Sequence, residues 1–143
     1  TIDIGNVSEL ELVSSKDEIL IKEVGTMHGE LMFSNAQINQ VDSNIDLIMR
    51  VAELRVSKIN KPDAVVVINQ ESSDINFNIS GLDFKLDATL EQGLLRLPKT
   101  FYDINTTMLD KGKRIRKINA SYGKMNLGVF TFTGKKGIIT FKE

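Results

Sequence analysis

The chain has 143 residues, 41% of them apolar and 26% charged, with a formal net charge of −1. This composition fits one soluble globular domain and excludes a collagen-like, strongly charged or membrane-spanning helical chain. Cysteine is absent and histidine occurs once, which removes disulfides, thiolate nucleophiles, Cys-based zinc sites and any His-built metal site or triad within one chain.

The near-zero net charge hides an asymmetry. Residues 1–60 hold five Lys/Arg against ten Asp/Glu, residues 61–143 hold thirteen against nine, and from Lys111 onward nine basic residues face one acidic one, Glu143. Ile (16), Val (10) and Thr (9) far outnumber Ala (5), and β-branched residues at that excess favour strands. The chain opens on Thr1, not an initiator, so trimming of a start or targeting segment is expected. No basic-then-apolar signal peptide is present.

In chain order, Gly25-Thr26-Met27-His28-Gly29 has the wrong spacing for a phosphate loop and lacks its Lys-Ser/Thr ending; His28 reads as a histidine at the edge of a turn. Residues 41–59 fit two periods. Val41, Ile45, Ile48, Ala52 and Ile59 share a helical face, whereas Ile45, Leu47, Met49 and Val51 alternate as a strand does. Strand is favoured, because a second alternation (Leu54, Val56) follows with a phase slip at Ala52–Glu53 that a bulge or corner explains. Asp42, Asn44, Asp46 and Glu53 reproduce calcium-loop positions one, three, five and twelve, but the sixth position, where glycine makes the sharp turn, is Leu47. A capped corner leading into an apolar element covers the same residues.

Val65–Ile68 is apolar throughout, which predicts a strand covered on both faces. Ile75–Ile79, Leu82–Leu86, Met125–Val129 and Phe130–Thr133 alternate with period two, predicting half-buried strands. Strand centres near 54, 66, 77, 85 and 95 imply a turn about every ten residues, the spacing of sandwiches, barrels and solenoids. No glycine occurs between Gly29 and Gly81, so Asn35, Asn39, Asn44, Asn60 and Asn69 are expected at or beside the corners. Ser43–Leu47 is echoed by Ser73–Phe77. Pro98 ends the strand Leu94–Leu97 because it cannot donate to a ladder; Leu97-Pro98-Lys99-Thr100 has Phe101 where a sortase signal requires glycine.

No nucleophile elbow or comparable catalytic motif occurs, so the chain reads as a non-enzyme without cofactor or metal. The densest charge run, Lys111, Lys113, Arg114, Arg116 and Lys117, is the candidate anionic-ligand patch. Lys and Arg there would hold phosphate or sulfate without reading sequence, and with Tyr122 the only aromatic close by, single-stranded nucleic acid is disfavoured. The competing reading is a solvated turn and strand edge whose charges block edge-to-edge pairing.

The closing stretch from Lys117 to Phe141, with the glycine-led turn at Gly123, the alternating strand Met125 to Thr133, Gly134 and the short Ile138-Ile139 strand, resembles the ending of bacterial putative-adhesin domains of unknown function. In that family these features form the last coil of a β-solenoid, and Gly93–Pro98 and Thr26–Phe33 are similar to its internal coils. The resemblance implies a surface or envelope-associated scaffold and brings no catalytic residues. The glycine-free middle departs from the family's pattern.

The expectation is therefore a single all-β domain over residues 1–143, a parallel β-solenoid of short coils, with a two-sheet antiparallel β-sandwich as the alternative; few two-residue hairpin signals occur, which favours the solenoid. The expected function is a non-enzymatic bacterial envelope-associated or adhesion-type structural domain at the cell surface. The alternatives are a subunit of a phage tail, baseplate or pilus in a virion or other assembly, and a module binding anionic glycan or cell-wall polymer. Expected partners are further copies of the chain, envelope or virion proteins, or such a polymer.

Overall fold

The computed structural model describes residues 1–143 and is all-β: β1 (Ile2–Ser15), β2 (Glu18–Met32), β3 (Asn35–Arg50), β4 (Glu53–Val56), β5 (Val65–Glu71), β6 (Asp74–Asn78), β7 (Phe84–Glu91), β8 (Leu94–Arg96), β9 (Tyr102–Asp110), β10 (Ile115–Tyr122), β11 (Gly128–Lys135) and β12 (Ile138–Lys142). All twelve belong to one curled, mixed sheet. Nine of its eleven strand pairings are parallel; only β10 pairs antiparallel, with β7 and with β9.

Each passage of the chain has two arms. The first three strands run through both, with a bulge between Val24 and Thr26 marking the bend. Beyond β3 the bend widens and the arms become separate strands, so β3 pairs with β4 through one half and with β5 through the other. One arm stacks as β1, β2, β3, β4, β6, β12, β8 and the other as β1, β2, β3, β5, β11, β7, β10, β9. The last two parallel strands are therefore not at the end of the stack. β11 lies between β5 and β7, and β12 between β6 and β8.

The corner joining one passage to the next is built the same way at each level. Its first residue is left-handed: Lys16 (φ 61), Phe33 (φ 50), Val51 (φ 46), Ser72 (φ 52), Lys136 (φ 50), Gln92 (φ 55) and, at the end of the series, Arg114 (φ 57). Lys16 donates its N–H to Met32, Phe33 to Arg50, Val51 to Glu71, Ser72 to Lys135 and Lys136 to Glu91, in each case to the carbonyl just before the next left-handed residue; Gln92 ends the series by donating to the carbonyl of Arg114 itself, in the β9–β10 turn, all at 2.9–3.1 Å. A second row follows one residue on, through the carbonyls of Asp17, Ser34, Ala52, Ser73 and Gly137. These rows satisfy main-chain groups that a corner would otherwise orphan. Four of the five buried polar residues, Ser14, Ser34, Gln70 and Ser73, line the same corners. The Ser34 hydroxyl accepts from the Asp17 N–H (3.1 Å), and the Ser73 hydroxyl from the Ala52 N–H (3.2 Å).

Of the expected asparagines, Asn35 directly follows the Phe33–Ser34 corner and Asn60 lies in the connection between β4 and β5, but none of the five takes a left-handed corner position. Those corner positions carry Lys, Phe, Val, Ser, Gln and Arg, and Asn126 is the one asparagine with positive φ. Asn44 and Asn60 act instead through their side chains, the first accepting from the Val65 N–H (3.0 Å) and the second donating to Asp42 (2.7 Å). Residues 41–59 are strand and corner, and the phase slip falls where β3 ends and β4 begins, at Val51–Ala52.

Inward side chains form rows down the stack. One runs Ile4, Ile21, Ile38, Val56, Phe77, Phe141, and another Ile2, Ile19, Ala36, Leu54, Ile75, Ile139, Leu95. The core is aliphatic toward β1 and aromatic toward the other end, where Phe77, Phe84, Phe101, Tyr122, Phe130, Phe132 and Phe141 form a connected cluster. Phe84 and Phe130 stack there with centroids 3.9 Å apart. Burying each such side chain contributes about 1.5–3 kcal/mol.

Two strand readings are corrected. Val65 and Val67 are about 40% exposed while Val66 and Ile68 are buried: nothing covers the outer face of β5, and the apolar run reflects β propensity as well as burial. Met125 and Leu127 are exposed and precede β11, because a turn anchored on Asp83 occupies residues 123–127. The Ser43/Ser73 echo has no structural counterpart, since Ile45 pairs with Val66 and Ile75 with Leu54.

Candidate functional site

The five cations of the predicted patch sit at the end of the stack farthest from β1, on the hairpin between β9 and β10. The Asp110 carboxylate accepts the Lys113 N–H (3.1 Å) and fixes the turn. Lys111, Lys113 and Arg114 are exposed on its tip. Arg114 also terminates the corner series, its carbonyl accepting from Gln92 (3.1 Å).

Strand alternation then divides the remaining two. Ile118, Ala120 and Tyr122 are buried, so Arg116 shares their inward side and Lys117 points outward. Arg116 reaches over the corner and donates from Nη2 to the Gly93 carbonyl (2.7 Å). It closes the end of the ladder rather than standing free. The structure brings Lys111, Lys113, Arg114 and Lys117 together as a basic hairpin and diverts Arg116 to a structural bond.

Beside the hairpin, Leu97–Phe101 folds over the end of the core. Phe101 is 5% exposed and packs on Phe84 and Tyr122, with centroids at 5.8 and 5.1 Å. Glu143 holds this plug in place, accepting from the Thr100 hydroxyl (2.7 Å) and the Tyr122 hydroxyl (2.9 Å). Burial and the neighbouring carboxylate push the Tyr122 phenol up to about 12.

The other sequence candidates are dispersed. Asp42, Asn44 and Asp46 lie along β3, and Glu53 lies beyond the corner in β4. Asp42 accepts from Gln40 (3.1 Å) and Asn60 (2.7 Å), and these bonds hold its carboxyl below the ordinary range. No three His, Cys, Asp or Glu side chains converge closely enough to hold a metal. His28 is mid-strand in β2 and exposed, not at a turn edge, with Glu11 and Asp46 as its register partners on either side.

Sequence reasoning missed the Asp83 cradle. Its carboxylate accepts N–H bonds from Lys124 (3.1 Å), Met125 (2.9 Å) and Leu127 (3.2 Å). Burial would raise its pKa, but the backbone donors, Met125 foremost, outweigh burial and hold the carboxyl low. A Cβ on Gly123 (φ +87) would come 2.7 Å from the Asp83 side chain, so the glycine-led turn exists to let the chain close on that carboxylate.

Also missed were the three open edges. β1 pairs only with β2, β8 only with β12, and β9 only with β10. The inward residues of β1 (Ile2, Ile4, Leu10 and Leu12) are only partly buried, and β9 is exposed along all nine residues, including Ile104 and Met108. The signal was available for β9 in the alternation Ile104, Thr106, Met108. No protein-family model, curated protein or solved structure matches the chain.

Proposed function

We propose that this chain is a non-enzymatic β-solenoid scaffold, of the envelope-associated or adhesion type that its closing stretch resembles, which works by presenting β-structure rather than by chemistry. The observation that carries this reading is the unbroken corner series from Lys16 to Arg114, with nine parallel pairings behind it. Stacked like corners and rows of like inward residues are the economy of a solenoid, in which each turn of chain is stabilised by its neighbours. Four of the five buried polar residues serve those corners, and the aromatic residues serve the core. Fractionation of cells that make the protein, followed by immunodetection of the native chain, tests the assignment. The expected result is recovery with the envelope; recovery with cytosol alone overturns it, and recovery in virus-like particles moves the scaffold to a tail or baseplate.

A second reading is favoured by the exposed tip residues Lys111, Lys113 and Arg114, which suit an anionic cell-wall or glycan polymer. It predicts retention on immobilised heparin or teichoic acid that falls with salt and is lost in Lys113→Glu/Arg114→Glu. Unchanged retention in that double variant removes it.

A further inference from the structure

We infer that copies of this chain associate head to tail, the β1 edge of one copy docking on the β9–β10 hairpin end of the next; this rests on the scaffold reading above. The two ends of the stack differ in charge. Residues 1–32, which form β1 and β2, hold seven acidic side chains (Asp3, Glu9, Glu11, Asp17, Glu18, Glu23, Glu30) against Lys16 and Lys22. Residues 94–117, which form β8, the plug and the hairpin, hold seven basic ones (Arg96, Lys99, Lys111, Lys113, Arg114, Arg116, Lys117) against Asp103 and Asp110. The resulting formal charges, −5 and +5, are equal and opposite.

Both ends also carry an unused strand edge and an unfinished apolar row. β9 and β7 are each antiparallel to β10, so β9 runs in the same direction as β7 and as the rest of the parallel stack. A second copy translated along the stack therefore presents β1 to β9 in parallel orientation, the orientation used nine times within the chain. The inward rows meet as well. Thr106 and Met108 lie opposite Ile118 and Arg116, so Ile104, Thr106 and Met108 continue the inward side. Ile104 (51% exposed) and Met108 (48%) are then offered to the half-buried Leu10 and Leu12 of the incoming β1.

Charge decides between the ways two copies could meet. A β1–β1 contact brings Glu9 and Glu11 against themselves, and a hairpin–hairpin contact brings Lys111, Lys113 and Arg114 against themselves; like charges disfavour both. Only the contact between unlike ends is complementary. The same charges that guard each edge against its own kind select the opposite edge. A heterologous contact of this kind does not close on itself, so the product is an open linear array.

Charge-reversal variants test the contact in the full chain by sedimentation equilibrium, with circular dichroism confirming that each variant is folded. At low salt the wild-type protein is expected to exceed twice the 16.0 kDa monomer mass and to return to monomer near 1 M salt, where the screening length falls to about 3 Å. Glu9→Lys/Glu11→Lys and Lys113→Glu/Arg114→Glu are each expected to be monomeric alone. Mixed one to one, they bring unlike charges together at both kinds of junction, unmutated hairpin on unmutated β1 edge and reversed β1 edge on reversed hairpin, and are expected to associate again beyond the monomer mass. A monomeric wild type at low salt, or a mixture that stays monomeric while wild type associates, overturns the proposal. Heparin retention lost only in Lys113→Glu/Arg114→Glu, with no assembly in any sample, also overturns it and assigns the hairpin to an anionic polymer. Envelope fractionation is read independently, so failure of the array leaves the scaffold reading standing.

Discussion

Ser72 donates its main-chain N–H to the carbonyl of Lys135 across 2.9 Å, and Lys136 in turn donates to Glu91. The corner that closes the middle of the stack is thus completed by strands made last. β7 and β8 have β11 and β12 as their only parallel neighbours, so the aromatic end of the core forms only after the C-terminal strands arrive between them and β5–β6. Long-range pairing of this kind is slow, because loop closure precedes the contacts that reward it.

Cysteine pairs test the insertion. Thr131 is the register partner of both Val67 and Asp87. Val67→Cys/Thr131→Cys and Thr131→Cys/Asp87→Cys should each form an intrachain disulfide under mild oxidation, read as a mobility shift without reductant. Val67→Cys/Asp87→Cys should not, since two strand spacings of about 4.8 Å exceed the reach of a disulfide. A bridge in that third variant would mean that β11 is not between β5 and β7.

Gly134 is a second checkpoint on the same strand. At φ +134, a Cβ there would sit 1.7 Å from the Gln70 carbonyl oxygen, whereas a Cβ on Gly5 meets nothing within 4 Å. Gly134→Ala should lower the unfolding free energy by about 2–4 kcal/mol and Gly5→Ala should change it by less than about 0.5 kcal/mol, both measured by urea denaturation.

The strands were legible and their partners were not. Alternation such as Ile75–Ile79 and Phe130–Thr133 marks one buried face wherever a strand is half-covered, and it located β6 and β11. Nothing in that alternation says that Thr131 lies beside Val67 rather than beside the strands preceding it. Asparagine was the reasonable residue to expect at left-handed corners, yet Phe33 and Val51 occupy them, because the stacked hydrogen bonds hold the conformation whatever the side chain. The basic run was plain at Lys111–Lys117; the diversion of Arg116 to Gly93 was not, since it depends on which side of β10 each residue takes.

Val51 makes that tertiary override measurable. A β-branched residue in the left-handed region is strained by about 1–2 kcal/mol, and Val51 is 52% exposed, so little burial is lost on replacing it. Val51→Asn should raise stability by about 0.5–1 kcal/mol, seen as a higher thermal midpoint. A lowered midpoint would show that the exposed isopropyl group contributes more than the corner strain removes.

Asp83 should make stability depend on acid. Its folded-state pKa is depressed by the backbone donors of the 124–127 turn, so its contribution is present above the unfolded value and is lost as pH falls through the folded one. Asp83→Ala should therefore be less stable than wild type at neutral pH, with the difference shrinking once pH drops below the ordinary carboxylate range. Urea midpoints for both proteins across an acid series check this; a constant difference contradicts it.

Tyr122 works in the opposite direction at the alkaline end. Its neutral form is favoured first by burial and then by the Glu143 carboxylate, which accepts its hydroxyl and repels the phenolate, placing the pKa at about 12. A folded-state pKa above the unfolded value near 10 stabilises the native chain fully below about pH 10, and that stabilisation is lost as pH rises toward 12. With Tyr102→Phe leaving one phenol, absorbance at 295 nm should titrate well above the ordinary midpoint. Adding Glu143→Gln should lower the midpoint only part of the way, because Phe101 and Phe84 still bury the ring. A complete return to the ordinary value would assign the whole effect to Glu143 and would mean that the plug over the core stands open to water.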